Sequence, residues 1–466
     1  MSDTVAKRTT TVAAMVEAGA KGRALMGGTD AMRLAGETYL PKFKAEQAED
    51  YTARLGSSWL FNGMRKTVKD MTGRVFDKTV EIPDAPQQIK DWCENVDMQG
   101  RDLSVFAAEV FKDAFVPGIS FIMVDAPRRD GETTREQAAT MGLRPYLVHL
   151  RVEDILGFKT ALYGNALALS QIRIFETAQE ENPKDEFTQI QVEQVRVMDR
   201  MDGGVYVRIY RQNEDKEWAV FDDYVTEAGE ITVIPFYAQR TGFFTGEPVL
   251  EDLADVNIAH WVSQSDQRNI LHFARVPILF ASGRTSEDAT LTISAGSAVV
   301  SSDPLAKLEW VEHTGKAIES GRTDLKDLEF QMETLGLQLL VARTGNAGAT
   351  GAAIDNVKET STLAMMADSL KDALEQALQW MAFYGGLGEQ SITVQVNKDF
   401  GVSPMSAQEV QVMQADVALG LLSKEAYYEE RKRRGVIRPD LDTQKDMDRV
   451  AAQPPEVTGD PMDLGE

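Results

Sequence analysis

Two helix-patterned stretches, 247–274 and 322–342, bracket a tract of short β-like pieces. That arrangement constrains the fold more than any single motif does. Two helices separated by a short β insert can run antiparallel and present the insert at one end. In the second stretch Leu325, Leu328, Met332, Leu335 and Leu339 recur at helical spacing, which puts one apolar stripe on one face. A pair of helices alone offers this stripe few partners, so the stripe is expected to pack on a neighbouring copy of the chain.

The remaining pattern supports a mixed α+β class. Residues 1–36 are rich in Ala, Gly and Thr and read as a mobile arm with one possible helix. Helical periodicity runs from Asp50 to Phe76, and again in DAPQQIKDWCENV and LSVFAAEVFKDAFVPG. At Ile119 the texture changes. ISFIMVDA and six further β-branched or aromatic segments between 145 and 239 predict an antiparallel meander. ILFASG, TLTIS, SAVVSSD and AKLEWVE form the β insert. RTGNAGATGAA (343–353) is a small, Gly-rich loop, and 354–386 then predict one long helix. A strand over 391–397, a helical pair over 406–437 broken at Gly420, and a disordered acidic tail after 440 complete the chain.

Composition removes several function classes. The chain has 466 residues, enough for two to four compact units of roughly 100–200 residues each. Its formal charge of −24 argues against tight nucleic-acid binding over the whole surface. A single cysteine, Cys93, excludes an internal disulfide framework and a cysteine-based zinc cluster. The four histidines leave little for metal chemistry. His260 and His272 fall on one predicted helix about 120° apart and cannot share a ligand face. No apolar stretch approaches the ~20 residues that span a bilayer, and the N-terminus lacks the apolar core of a secretory signal. The expectation is therefore a soluble protein made in a reducing compartment, with no membrane association, metal or cofactor. The familiar phosphate-loop, zinc-protease, serine-nucleophile, CxxC and calcium-loop patterns are missing, so no catalytic residues are assigned and no enzyme is expected. The basic run 431–434 follows Glu425, Glu429 and Glu430 and reads first as a solvated helix end.

The ordered set of elements resembles the portal proteins of tailed bacteriophages, in particular a branch grouped as a family of unknown function. The resemblance is carried by TYLPKF (38–43), FNGMRKTVKDMTGRVFDKTVEI (61–82), EPVLEDLADVNIAHWVSQSDQRNILHFARVPILFASG (247–283), LEFQMETLGLQLLVARTG (328–345), GATGAAIDNVKETSTLAMMADSLKDALEQAL (348–378) and LGLLSKEAYYEERKRRGVI (419–437). It implies a flexible arm over 1–37, a wing over 38–246 (helical, then β-rich), and a stem helix over 247–275. A clip over 276–321 and a second stem helix over 322–342 follow. Next come a tunnel loop over 343–353, a backbone helix over 354–386, wing and crown elements over 387–439, and the tail 440–466.

It further implies a dodecameric ring at one capsid vertex, assembled in the host cytoplasm and carried in the virion. Double-stranded DNA would pass transiently through its channel in packaging and ejection. Terminase, then a head–tail adaptor, would dock on it, and major capsid and scaffolding proteins would surround it. Arg343, Thr344, Gly345, Asn346, Gly348, Thr350, Gly351 and Lys358 would be the channel-loop residues, with Arg322 and Lys326 as further lumen charges. The alternatives are another ring-forming virion component, such as an adaptor or capsid subunit, and a mixed α+β enzyme.

Overall fold

The computed structural model describes residues 4–127, 143–275, 278–282, 307–311, 315–340, 361–398, 400, 407–433, 437–438 and 441–452. It is mixed α+β and divides into two compact units, Met1–Lys398 and Asp399–Glu466.

In the first unit the chain opens with α1 (Thr10–Gly27) and α2 (Thr29–Ala35). This corrects the expected mobile arm. Val12, Leu25 and Met32 are fully buried, so the segment contributes core surface. Small residues that read as disorder in the sequence are what let α1 approach closely: a Cβ at Gly22 would lie 2.9 Å from a methyl of Val116. Lys21 fastens the same helix to Asp255 at 2.6 Å.

The helical run expected over 50–76 is two helices, α3 (Ala48–Ser57) and α4 (Gly63–Val75). Asn62 caps the second, accepting from the Arg65 amide at 2.8 Å, while its own amide donates to the Leu25 carbonyl. α5 (Gln87–Cys93) and α6 (Leu103–Ala114) follow, the latter capped by Asp102. Burial pushes the Cys93 thiol up to about 12, so it stays an unreactive thiol in the core.

β1 (Ile119–Asp125) is buried on both faces, which is why it reads as a continuous apolar run. It pairs antiparallel with β2 (Tyr146–Leu150) on one edge. The continuing chain forms β3 (Ile155–Tyr163), β4 (Ala166–Glu181), β5 (Gln189–Met201), β6 (Gly204–Gln212) and β7 (Trp218–Thr226). β8 (Val233–Tyr237) then returns to the other edge of β1. The single meander expected over 145–239 is thus a three-stranded sheet, β2-β1-β8, and a five-stranded antiparallel meander, β3 to β7. The reason is β1, which draws one strand from each end of the tract. Ile119, Phe121 and Met123 on β1 meet Ile172, Ile174 and Val207 of the meander, together with Val12 and Met15 of α1, in one apolar core. The short pair β9 (Arg240–Gly242) and β10 (Thr245–Gly246) leads into the next helix.

That helix is α7 (Glu251–Ala274). The strands β11 (Ile278–Ser282) and β12 (Lys307–Val311) pair antiparallel, Ile278 opposite Val311 and Ser282 opposite Lys307. TLTIS and SAVVSSD lie outside the described residues. α8 (Lys316–Leu337) continues as a short 3-10 turn over Gln338–Leu340.

α9 (Thr362–Tyr384) starts later than the helix expected over 354–386. Ser361 is extended and caps it, accepting from the Ala364 amide. Its buried face, including Leu370, Leu374, Ala377 and Met381, packs on β1 and β8. Residues 391–397 are not a regular strand. Ile392, Val394 and Val396 are buried, but the backbone makes only a bridge between Glu81 and Gln395 among the described residues.

The second unit holds α10 (Ala407–Ala418), α11 (Lys424–Arg433) and α12 (Thr443–Ala451). The break at Gly420 has a left-handed backbone, φ 73°. α12 corrects the tail expected to be disordered: Tyr428 donates to Asp446 at 2.9 Å, and Lys432 donates to Thr443 at 2.7 Å. Residues 453–466 are outside the described set.

Candidate functional site

α7 and α8, the helices on either side of the β insert, lie against each other. Three polar contacts fix their antiparallel register. His260 Nε2 lies 3.5 Å from Glu329, Ser263 Oγ donates to Asp324 at 2.6 Å, and Gln267 Nε2 donates to the Ile318 carbonyl at 2.8 Å. As α7 advances, its partners on α8 step backwards, and the β11–β12 register continues the same sense. Gly321 permits the crossing, because a Cβ there would sit 2.2 Å from Gln267 Oε1.

The base of the pair is tied to the body. Asn257, fully buried, donates to the Phe61 carbonyl at 2.8 Å and accepts from the Met64 amide at 3.0 Å. Each of its two polar ends therefore satisfies a backbone group at the start of α4. The fully buried Trp261 fills the core beside it. Further along, Arg54 of α3 reaches α7: Nη1 is 3.4 Å from Ser265 Oγ and 3.7 Å from Asp266.

The apolar stripe of α8 finds partners within its own chain. Met332 and Leu339 are buried and Leu325, Leu328 and Leu335 half-buried. A Cβ on Gly63 of α4 would touch the Met332 sulfur at 2.8 Å. The stripe was expected to lack partners within the chain, but α4 supplies surface at Met332. Phe330 and Leu337 are instead the exposed large apolar residues of α8, at 70% and 49% exposure. The leucine stripe dominates the sequence periodicity of α8, although Phe330 and Leu337, seven residues apart, also share a face.

Of the residues named from sequence, Arg322 and Lys326 lie on α8 and are exposed. Arg343, Thr344, Gly345, Asn346, Gly348, Thr350, Gly351 and Lys358 lie outside the described residues. His260 is buried and His272 exposed, so the two do not converge, and no group of three or more potential metal ligands occurs among the described residues. No described helix is long and apolar enough to cross a membrane.

A second polar cluster joins α1, α6, β1 and β2. Ser120 Oγ lies 2.8 Å from His149 Nε2, and Asp113 Oδ2 is 3.8 Å from the same nitrogen. The composition suggests a nucleophilic triad, but the geometry does not. Serine and carboxylate compete for one ring nitrogen, whereas a triad places them on opposite nitrogens. Ser120 is also wholly buried in a strand, out of reach of a substrate.

The cluster is a structural clamp instead. Arg23 of α1 pairs with Asp113 and binds both oxygens of Glu153, at 2.6 and 2.9 Å. Burial opposes the Arg23 charge, but Asp113 and Glu153 outweigh it and raise its pKa. Burial lowers the pKa of His149 below 6.5, against the pull of Asp113 and Glu109 and alongside Arg151 and Arg101. His260 is lowered likewise by burial, opposed by Glu329 and Asp324.

Both imidazoles are therefore harder to protonate in the folded chain than in the unfolded one. Between the folded and unfolded pKa values the unfolded chain binds more protons, so stability rises with pH there and falls on acidification below about 6.5. We expect thermal stability to drop from pH 7.5 to 5.5, each histidine adding at most the slope of one proton taken up on unfolding. His149→Gln should remove part of that slope; identical melting-temperature profiles for variant and parent would contradict the assignment.

Known proteins give three comparisons. A family described as "Domain of unknown function (DUF4055)" matches residues 249–385, less than a third of the chain, from the start of α7 to the end of α9. No curated protein matches. A chain from the virion of a native gene transfer agent particle is similar at 11% identity and a TM-score of 0.38, covering 86% of this chain and 98% of that one. A chain from the neck of an empty gene transfer agent particle is similar at 12% identity and the same TM-score, covering 79% and 88%. At these values neither similarity establishes a shared fold.

Proposed function

We propose that this chain is the subunit of a portal ring. In this reading it conducts double-stranded DNA at a capsid vertex during packaging and ejection, and docks terminase and then a head–tail adaptor. The observation that carries the reading is the antiparallel pair α7–α8 bracketing the β11–β12 hairpin and followed, after the Gly-rich segment, by the capped helix α9. This order agrees with the elements on which the sequence resemblance rests. The family match over 249–385 spans the same continuous unit. In the proposed ring α7 and α8 form the stem, β11 and β12 the base of the clip, 343–353 the tunnel loop and α9 the backbone helix.

The charge balance suits such a conduit. A channel must let DNA slide, and each phosphate neutralised by a fixed cation adds salt-dependent affinity. A ring of subunits each carrying −24 would hold DNA weakly, with Arg322, Lys326, Arg343 and Lys358 as the few transient contacts.

One experiment with two readings tests this. Purified chain at micromolar concentration in moderate salt should scatter light as a closed oligomer, and deletion of 345–351 should leave that mass unchanged while impairing DNA packaging or retention. A stable monomer would overturn the ring. Assembly of the full chain with normal packaging by the deletion variant would remove the channel role and favour another ring-forming virion component.

A further inference from the structure

We propose that the Asp202–Gly203 turn is a modification site, at which the chain converts Asp202 to isoaspartate by its own chemistry and so loosens the β5–β6 hairpin.

The reaction needs a short carboxyl or amide side chain followed by a residue whose backbone amide can attack it. Glycine is the favoured follower, because it has no Cβ to shield that amide or restrict its approach. Two such pairs lie among the described residues, Asn62–Gly63 and Asp202–Gly203.

The fold treats the two pairs oppositely. Asn62 is occupied by its cap: its oxygen accepts from the Arg65 amide at 2.8 Å, and its side-chain amide donates to the Leu25 carbonyl at 2.6 Å. The Gly63 amide donates to the Phe61 carbonyl at 3.1 Å, and Gly63 is buried against Met332. Attack there requires local opening. Asp202 and Gly203 have none of these restraints. They form the whole loop between Met201 and Gly204, the pair that ends the β5–β6 ladder. Both are exposed. No hydrogen bond to the Asp202 carboxylate or to the Gly203 amide occurs among the described residues. Gly203 has φ 95°, and a Cβ there would meet nothing within 4 Å, so the nucleophile stands in open space.

The Gly203 nitrogen attacks Asp202 Cγ. An N–Cγ bond forms, the Cγ–OH bond breaks, and the hydroxyl leaves as water with the amide proton. The cyclic imide then takes up one water. Opening at Cγ restores aspartate. Opening at the α-carbonyl gives isoaspartate, with the backbone running through Cβ and Cγ. One water is lost and one gained, and no other reactant enters.

Isoaspartate lengthens this two-residue loop by a methylene. The hairpin cannot absorb the change by sliding. A Cβ at Gly204 would lie 2.4 Å from the Thr226 carbonyl oxygen, and the next residue, Val205, is buried in the core. The extra atom therefore strains the Met201–Gly204 pair and loosens the start of β6.

The test is ageing of the folded full chain near neutral pH, followed by peptide mapping with mass spectrometry and isoaspartyl methyltransferase labelling. Melting of the fresh proteins is the folding control. Asparagine is intrinsically the faster reactant. Isoaspartate at 202 should nevertheless exceed deamidation of Asn62 by at least about tenfold, the ratio that an opening cost of about 1.4 kcal/mol produces. Asp202→Asn should react faster than the parent at the same turn, since ammonia leaves more readily than water. Asp202→Glu should stay unmodified, because its larger ring closes slowly. On ageing, the melting temperature of the parent should fall and that of Asp202→Glu should hold. A folded parent that gains no isoaspartate at 202, or an Asp202→Asn variant that reacts there no faster than Asn62 does, would overturn the site. Equal falls in melting temperature for parent and Asp202→Glu would overturn the assigned consequence.

Discussion

Gly118→Ala should abolish recovery of folded protein. Gly118 makes the turn from α6 into β1 with φ 79°, a conformation that side-chain-bearing residues rarely adopt. A Cβ there would lie 1.8 Å from the Glu247 carbonyl oxygen. The clash is with backbone, and the neighbouring backbone is pinned. The Gly118 amide donates to Ala114 at 2.8 Å, and its carbonyl accepts from both Ala238 and Gln239 at 2.9 Å. Relief would therefore have to break the edge of the β2-β1-β8 sheet or displace the approach to α7. Strain and lost hydrogen bonds together should exceed about 4 kcal/mol, a large share of a domain's stability. Gly73→Ala is the control: it is on α4 with no neighbour within 4 Å of the added methyl, and should gain about 0.5–1 kcal/mol. Similar melting temperatures for the two variants would contradict the account of this turn.

Arg54→Met should cost about 3 kcal/mol, because it leaves the Glu46 carboxylate without its partner in a buried setting. Arg54 donates to both Glu46 oxygens, at 2.7 and 2.8 Å, and to the Pro41 carbonyl at 2.9 Å. Its guanidinium also stacks over Phe43 and Tyr51. Adding Glu46→Gln should recover part of the loss, since much of it is the stranded charge and not the missing contact. Denaturant titration reads both values; a loss below about 1 kcal/mol for Arg54→Met would show that solvent screens the pair.

Regular elements with strong local signals were legible in the sequence. The continuous apolar run at 119–125, the leucine rhythm of 322–342 and the helical pattern within 354–386 all mark real elements. Signals that depend on distant partners were not. Gly19 and Gly22 look like a flexible arm until Val116 and Met64 are seen to need the space. β3 carries a weak strand signal, because Gly157 sits at a register shift against β4 and interrupts its alternation. The meander split could not be read, because the choice of β1's edge partners is made by pairing across more than a hundred residues. At the candidate site, the helix pair was expected from element order. The exposed Phe330–Leu337 face was hidden by the stronger leucine stripe beside it, which packs in part against α4.

The central claim is that this chain assembles around a channel. The most direct measurement is electron microscopy of the purified full chain, with class averages along and across the symmetry axis. The account predicts a rotationally symmetric ring with an open axial hole, narrowed by a wall in which each subunit contributes the α7–α8 pair. A compact single-copy particle, or an assembly in which those two helices lie away from any axial opening, would contradict it.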